Sequence, residues 1–172
     1  MTAIAFQAGD ILSASTEVLV STANPAFQLT GGIGALLMRT GGAAFQQELN
    51  ALSRAAFGTR PAPRGSLLVS SSANLAFRAI VHVVSIDVFY RTEPQVLEDC
   101  TAATVAQVVA LGARTVALPA FATGYGRHPL ASCASAMRRG LTTALARHPL
   151  ERVELWLRDD HRLSEFRAGW GS

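Results

Sequence analysis

Short apolar runs recur along this chain, and several have no polar face. Residues 18–21 (VLVS), 67–70 (LLVS), 80–84 (IVHVV), 115–118 (TVAL) and 153–157 (VELWL) are each too short for a helix and suit buried strands, and residues 4–6 open the chain in the same way. Between them lie longer stretches with helical spacing: residues 35–56, interrupted at Gly41 and Gly42, then 94–111, 129–147 and 163–170. A strand that is apolar on both faces must be covered on both faces. Alternation with helices therefore predicts an α/β protein whose mostly parallel sheet is sandwiched between helices. In such sheets ligands bind beyond the carboxyl ends of the strands, near the point where strand order reverses.

Length and composition narrow the class. The chain has 172 residues, 49% of them hydrophobic and 16% charged, as expected for one globular domain spanning residues 1–172. No apolar run approaches the roughly 18 residues of a membrane helix, and the first ten residues carry no basic, apolar leader. The expectation is a soluble, cytoplasmic protein with no membrane partner. All 15 basic residues are arginine. The lack of lysine excludes Schiff-base chemistry on a side-chain amine and the lysine-bearing phosphate loop of P-loop NTPases. Cys100 and Cys133 are too far apart for a Cys-x-x-Cys pair and too few for a cysteine zinc site, so no metal is expected. Residues 101–150 hold no Asp or Glu but carry Arg114, Arg127, Arg138, Arg139, Arg147, His128 and His148. That stretch would draw an anion, or form a solvated basic helix face.

Two glycine-bearing loops stand where the ligand rule points. After the VLVS run come Thr22-Ala23-Asn24 and then Gly31-Gly32-Ile33-Gly34, leading into a helix. After the TVAL run comes Pro119 to Pro129, with Ala122-Thr123-Gly124-Tyr125-Gly126-Arg127-His128 inside it. Glycine lets backbone N–H groups converge on an anion, and a helix N-terminus behind each loop adds a favourable dipole. Two such loops at one sheet edge suit a diphosphate.

These motifs resemble those of the macrodomain family, which binds ADP-ribose. Gly9-Asp10-Ile11, Val20-Ser21-Thr22-Ala23-Asn24-Pro25, Gly31-Gly32-Ile33, Arg39-Thr40-Gly41-Gly42, Arg64-Gly65 with Val69-Ser70, Ile80-Val81-His82 and Pro119-Ala120-Phe121-Ala122-Thr123-Gly124 follow the family order over almost the whole chain. The resemblance implies a three-layer α/β/α sandwich with a mixed six- or seven-stranded sheet. It implies that Asp10 accepts from the adenine amino group, with the backbone of Ile11 beside it. The loops Gly31, Gly32, Ile33, Gly34 and Thr123, Gly124, Tyr125, Gly126 would cradle the phosphates. Ala23, Ala122 and Arg127 belong to the same ligand-binding set. Asn24 would bond the distal ribose, although an Asn before Pro25 also reads as a plain turn. Arg158 would stack its guanidinium on adenine where the family often has a ring, and Trp156 shares its alternation. His82, mid-strand in an apolar run, reads as structural.

The chain also departs from the hydrolase branch of the family. The aspartate paired there with the loop asparagine falls on Gly34, and no Asp or Glu occurs between Glu17 and Glu48. A lysine-based route is closed. The readings left open are a hydrolase of ADP-ribosyl esters, on protein or as O-acetyl-ADP-ribose, using Asn24 with His128 as acid or base; a non-catalytic ADP-ribose reader; and a binder of ADP-ribosylated or plain nucleic acid, which an aromatic content of 7% disfavours. No cofactor is implied, and the sequence leaves oligomeric state open.

Overall fold

The computed structural model describes residues 1–171. Six strands form one sheet: β1 (Ala3–Ala8), β2 (Val18–Ala23), β3 (Leu67–Ser70), β4 (Ala79–Val84), β5 (Thr115–Pro119) and β6 (Arg152–Leu157). Their spatial order is β1-β6-β5-β2-β4-β3. All neighbours are parallel except the edge strand β3, which runs antiparallel to β4. Three α-helices connect strands, α1 (Gly32–Phe57), α2 (Pro94–Ala110) and α3 (Leu130–Arg147), and α4 (Asp160–Gly171) follows β6. This is the α/β/α sandwich with a mixed six-stranded sheet.

The two-sided apolar runs do what their pattern requires. Val18, Val20, Val81, Val83, Val116, Leu118, Val153 and Leu155 face one way, into a core completed by Leu97, Val105, Met137 and Phe166 from α2, α3 and α4. Leu19, Ile80 and Ala117 face the other way, against Leu37, Phe45 and Leu49 of α1. Each such fully buried aliphatic side chain contributes about 1.5–3 kcal/mol. The expected break in α1 is present: Gly42 has φ +64°, so two helical segments join across a kink. Pro129 caps α3 from outside rather than opening it, and α4 starts at Asp160, earlier than periodicity suggested.

The β2–β5 pairing is short. Its register covers only Val18↔Val116 and Leu19↔Ala117, whereas β2 stays paired with β4 to Ala23↔Val84 and β5 with β6 to Pro119↔Trp156. Below the pairing, Glu17 staples the strands together. Its Oε2 accepts from the backbone N–H groups of Arg114 and Thr115 at 2.7 and 3.1 Å, its N–H donates to Thr115 Oγ1, and its carbonyl accepts from Arg78 N–H. Those backbone donors hold the Glu17 carboxyl below its ordinary pKa. Above the pairing the strands part. The parting coincides with the reversal of strand order, since α1 leads from β2 towards β3 and α3 from β5 towards β6.

His82 is structural, as expected. It is 1% exposed on β4, and its Nε2 lies 2.9 Å from Ser70 Oγ on β3. Burial pushes its imidazole from 6.5 down to about 4. The folded state therefore binds fewer protons than the unfolded chain below pH 6.5. Stability is complete above that pH and falls as pH drops towards 4. Between pH 7 and 5 the loss from this one group is about 2 kcal/mol. Urea unfolding at both pH values should show it, and His82→Gln should show a smaller pH difference than the parent; an equal difference would contradict the assignment.

Candidate functional site

Where β2 and β5 part, a two-lobed cleft opens. The inner lobe, about 580 Å³, is lined by Gly9, Asp10, Ile11, Ile33, Leu36 and Trp156, among others. The outer lobe, about 610 Å³, is lined by Asn24, Thr30, Gly31, Tyr90, Tyr125 and Arg127 with their neighbours. Thr22, Gly32, Ala120, Thr123, Gly124 and Arg158 line both and form a shared floor. Proline at position 119, the last of β5, offers no N–H to a neighbouring strand, which suits the place where the sheet opens.

The inner lobe is mostly apolar, with one carboxylate, Asp10, and two guanidinium groups, Arg158 and Arg162, at its lining. Asp10 caps a short 3-10 turn, Ile11–Ser13, by accepting the Leu12 N–H at Oδ1 (3.0 Å). That leaves its second oxygen available, so capping and ligand binding are compatible. Trp156 lies over Gly9, and its indole N–H donates to Glu154 Oε2 at 3.0 Å. Glu154 is 7% exposed and ion-paired with Arg152 at 3.0 Å, so the indole is anchored from below.

The floor depends on the start of α1. Gly31 precedes it at φ +62°, and no side chain caps the helix. The first-turn N–H groups therefore remain unsatisfied by side chains and carry the positive end of the helix dipole. Of the two helices that follow the glycine loops, only α1 brings its start to the cleft: no residue of the first turn of α3 lines either lobe. In the second loop the left-handed residues are not glycines. Ala122 (φ +57°) and Arg127 (φ +48°) take that conformation, while Gly126 is required for close approach, since a Cβ there would sit 2.6 Å from the Ala122 carbonyl oxygen. The same oxygen accepts the His128 N–H at 3.0 Å and closes the loop.

The outer lobe separates the candidate catalytic residues. Asn24 lines it, but its side chain is committed to its own loop. Nδ2 donates to Gln28 O (2.9 Å) and Thr30 Oγ1 (3.3 Å), and Oδ1 accepts from Ala26 N and Gln28 N (3.0 and 3.2 Å). The turn role and the cleft position thus coexist. His128 lines neither lobe. Its Nε2 lies 2.9 Å from Ser132 Oγ on α3, and partial burial lowers its pKa. Gly34 is buried, and a Cβ there would lie 3.2 Å from Leu29 Cα. No aspartate stands here, and admitting one would require the Leu29 backbone to give way by a few tenths of an ångström. Among the described residues, no carboxylate or imidazole lines the outer lobe. Of the basic residues in 101–150 only Arg127 lines the cleft; Arg139 pairs with Glu98 and Arg114 with Glu151.

Sequence reasoning placed Asp10, Ile11, Ala23, Gly31, Gly32, Ile33, Ala122, Thr123, Gly124, Tyr125, Gly126, Arg127 and Arg158 around this cleft, and all line it; Gly34, expected in the same set, is buried against Leu29 and lines neither lobe. Among the lining residues it missed are Leu36, Ser85, Tyr90 and Arg162. Leu36 follows the glycine loop by one helical turn and was the legible one. The other three arrive from elements whose proximity only the sheet order decides. Tyr125 reaches across and packs directly on Gly31, so the two loops touch over the outer lobe, with Tyr90 beside Tyr125 at 5.9 Å between ring centroids.

The Macro domain family profile matches residues 20–137. A Macro domain-containing protein in the sno 5'region of Streptomyces nogalater is 32% identical over 96% of this chain and 91% of its own length. An O-acetyl-ADP-ribose deacetylase of Cronobacter sakazakii is 30% identical over 82% of this chain and 78% of its own. In structure, a mutant of the Oceanobacillus iheyensis macrodomain with ADPR superimposes with a TM-score of 0.88 at 18% identity, covering 96% of this chain and 90% of that one. No described helix is long and apolar enough to cross a membrane.

The packing at Gly34 gives a direct test. Gly34→Asp should lower the urea unfolding free energy by about 1–3 kcal/mol, because the Leu29 backbone must move to admit the side chain. A variant as stable as the parent would contradict that contact.

Proposed function

The chain belongs to the Macro domain family, and on that premise we propose that it binds ADP-ribose in the two-lobed cleft. One observation carries the reading: two lobes share a floor built from the carboxyl ends of β2 and β5 and the uncapped start of α1. A base, a diphosphate and a sugar need that sequence of environments. Adenine sits in the apolar inner lobe on Trp156, with its amino group donating to Asp10. The diphosphate lies on the floor, against the first-turn N–H groups of α1 and the loop at Thr123 and Gly124. The distal ribose enters the outer lobe between the Asn24 loop and Tyr125, and whatever carries it leaves past Tyr90.

The outer lobe favours binding over fast turnover. With no carboxylate or imidazole there, water has no protein base within reach. Relatives named O-acetyl-ADP-ribose deacetylase support hydrolysis of ADP-ribosyl esters as a second reading. In this chain that reaction would proceed with a phosphate oxygen of the substrate taking the proton of the attacking water. The Asn24 turn would position the ribose, and backbone N–H groups would stabilise developing charge.

Calorimetric titration tests the binding. ADP-ribose should saturate the protein at least tenfold more tightly than AMP, which fills the inner lobe alone. Asp10→Ala should weaken ADP-ribose by about tenfold, the low end for a hydrogen bond to a charged group. No saturable ADP-ribose binding would sink the proposal. For the second reading, the rate on an ADP-ribosyl ester should show no bell-shaped profile between pH 5.5 and 8, and His128→Ala should retain it. A bell, or loss of rate in that variant, would return His128 to the chemistry.

A further inference from the structure

We infer that the junction between the inner lobe and the floor is a subsite for a third phosphate, carried on the adenosine ribose of the bound ligand. The inference rests on the ADP-ribose reading above. A nucleoside diphosphate laid in this cleft places its first pentose between the base lobe and the floor. Two arginines meet there. Arg158 lines both lobes, and Arg162, from the first turn of α4, lines the inner lobe while donating from Nη2 to the carbonyl of Thr123 on the floor at 3.3 Å. A ribose diol is neutral and needs no cation, and the diphosphate already has the N–H groups of α1.

Arg162 is partly buried and makes no direct ion pair with any described residue. Asp159 organises the pair, and its charge acts on both guanidinium groups while making a direct ion pair only with Arg158. Its Oδ2 accepts from Arg158 Nε at 3.3 Å, and its Oδ1 accepts the backbone N–H of Arg162 at 2.9 Å. The one carboxylate that lines the inner lobe, Asp10, is tied to the 3-10 turn after β1. Two guanidinium groups, one of them without a direct ion pair among the described residues, present the fork geometry that a phosphate monoester accepts.

Titrations of the whole chain at about 0.15 M salt distinguish the possibilities. The ligand pairs are ADP-ribose against 2′-phospho-ADP-ribose, and AMP against adenosine 3′,5′-bisphosphate. In at least one pair the phosphorylated ligand should bind about fivefold or more tightly, and Arg162→Gln should bring that ratio close to one. Arg158→Gln, whose side chain is 81% exposed and therefore safe for folding, should lower the ratio as well. Thermal scans keep the comparison on folded protein. Equal affinities within both pairs would overturn the subsite. So would an Arg162→Gln variant that weakens both members of a pair equally, since the guanidinium would then serve the diphosphate. If ADP-ribose itself fails to bind, the reading beneath falls and takes this one with it; if it binds without preference, only the subsite falls.

Discussion

The site exists because two adjacent parallel strands stop pairing early. β2 and β5 share only two register positions before they diverge. A gap between strands exposes backbone groups that cost free energy unless something satisfies them. Here the cost is contained from both sides. β2 remains paired with β4, β5 remains paired with β6, and Glu17 fastens the lower ends of β2 and β5. The opening can therefore be wide at the carboxyl ends without loosening the sheet. The floor, the glycine loop after β2 and the self-closed loop after β5 all take their positions from it.

The chemistry inside the opening is that of recognition. Its polar surface is mostly backbone N–H, hydroxyl and guanidinium, with Asp10 the one carboxylate among the residues lining either lobe. Groups of this kind stabilise anions and hydrogen-bond sugars, but they do not take protons near neutral pH. The two imidazoles nearest the motifs are held elsewhere: His82 in a dry pair with Ser70, His128 against Ser132. At position 34 the helix start sits tightly against the Leu29 backbone, so any side chain there would have to displace it.

The layered fold was legible because the strands are apolar on both faces and period-two burial leaves no other arrangement. The loops were legible as motifs, since glycine and proline mark them. Their internal geometry was not. The positive-φ positions of the second loop fall on Ala122 and Arg127, where propensity gives no hint, and Gly126 is there for the nearness of a carbonyl oxygen. Arg162 was illegible for another reason. It lies 39 residues beyond Thr123, and its contact depends on α4 folding back beside β6, a long-range event that no local pattern encodes. Asn24 shows the opposite limit: both readings of one residue were available, and the hydrogen bonds around it satisfy the turn while leaving it at the cleft.

The contact of Tyr125 with Gly31 makes the two loops a closed hoop over the outer lobe. An open groove lets a ligand lift away in any direction. A hooped groove lets it leave only by sliding lengthwise or by waiting for the ring to swing off. The ring is 64% exposed and held by little more than dispersion, so it swings readily, and a ligand that lifts straight out waits for that swing. Exchange is thus timed by a side-chain motion as well as by the strength of the bonds beneath it. Any side chain in place of the glycine would stand where the ring now lies, so the latch and the glycine are a single device.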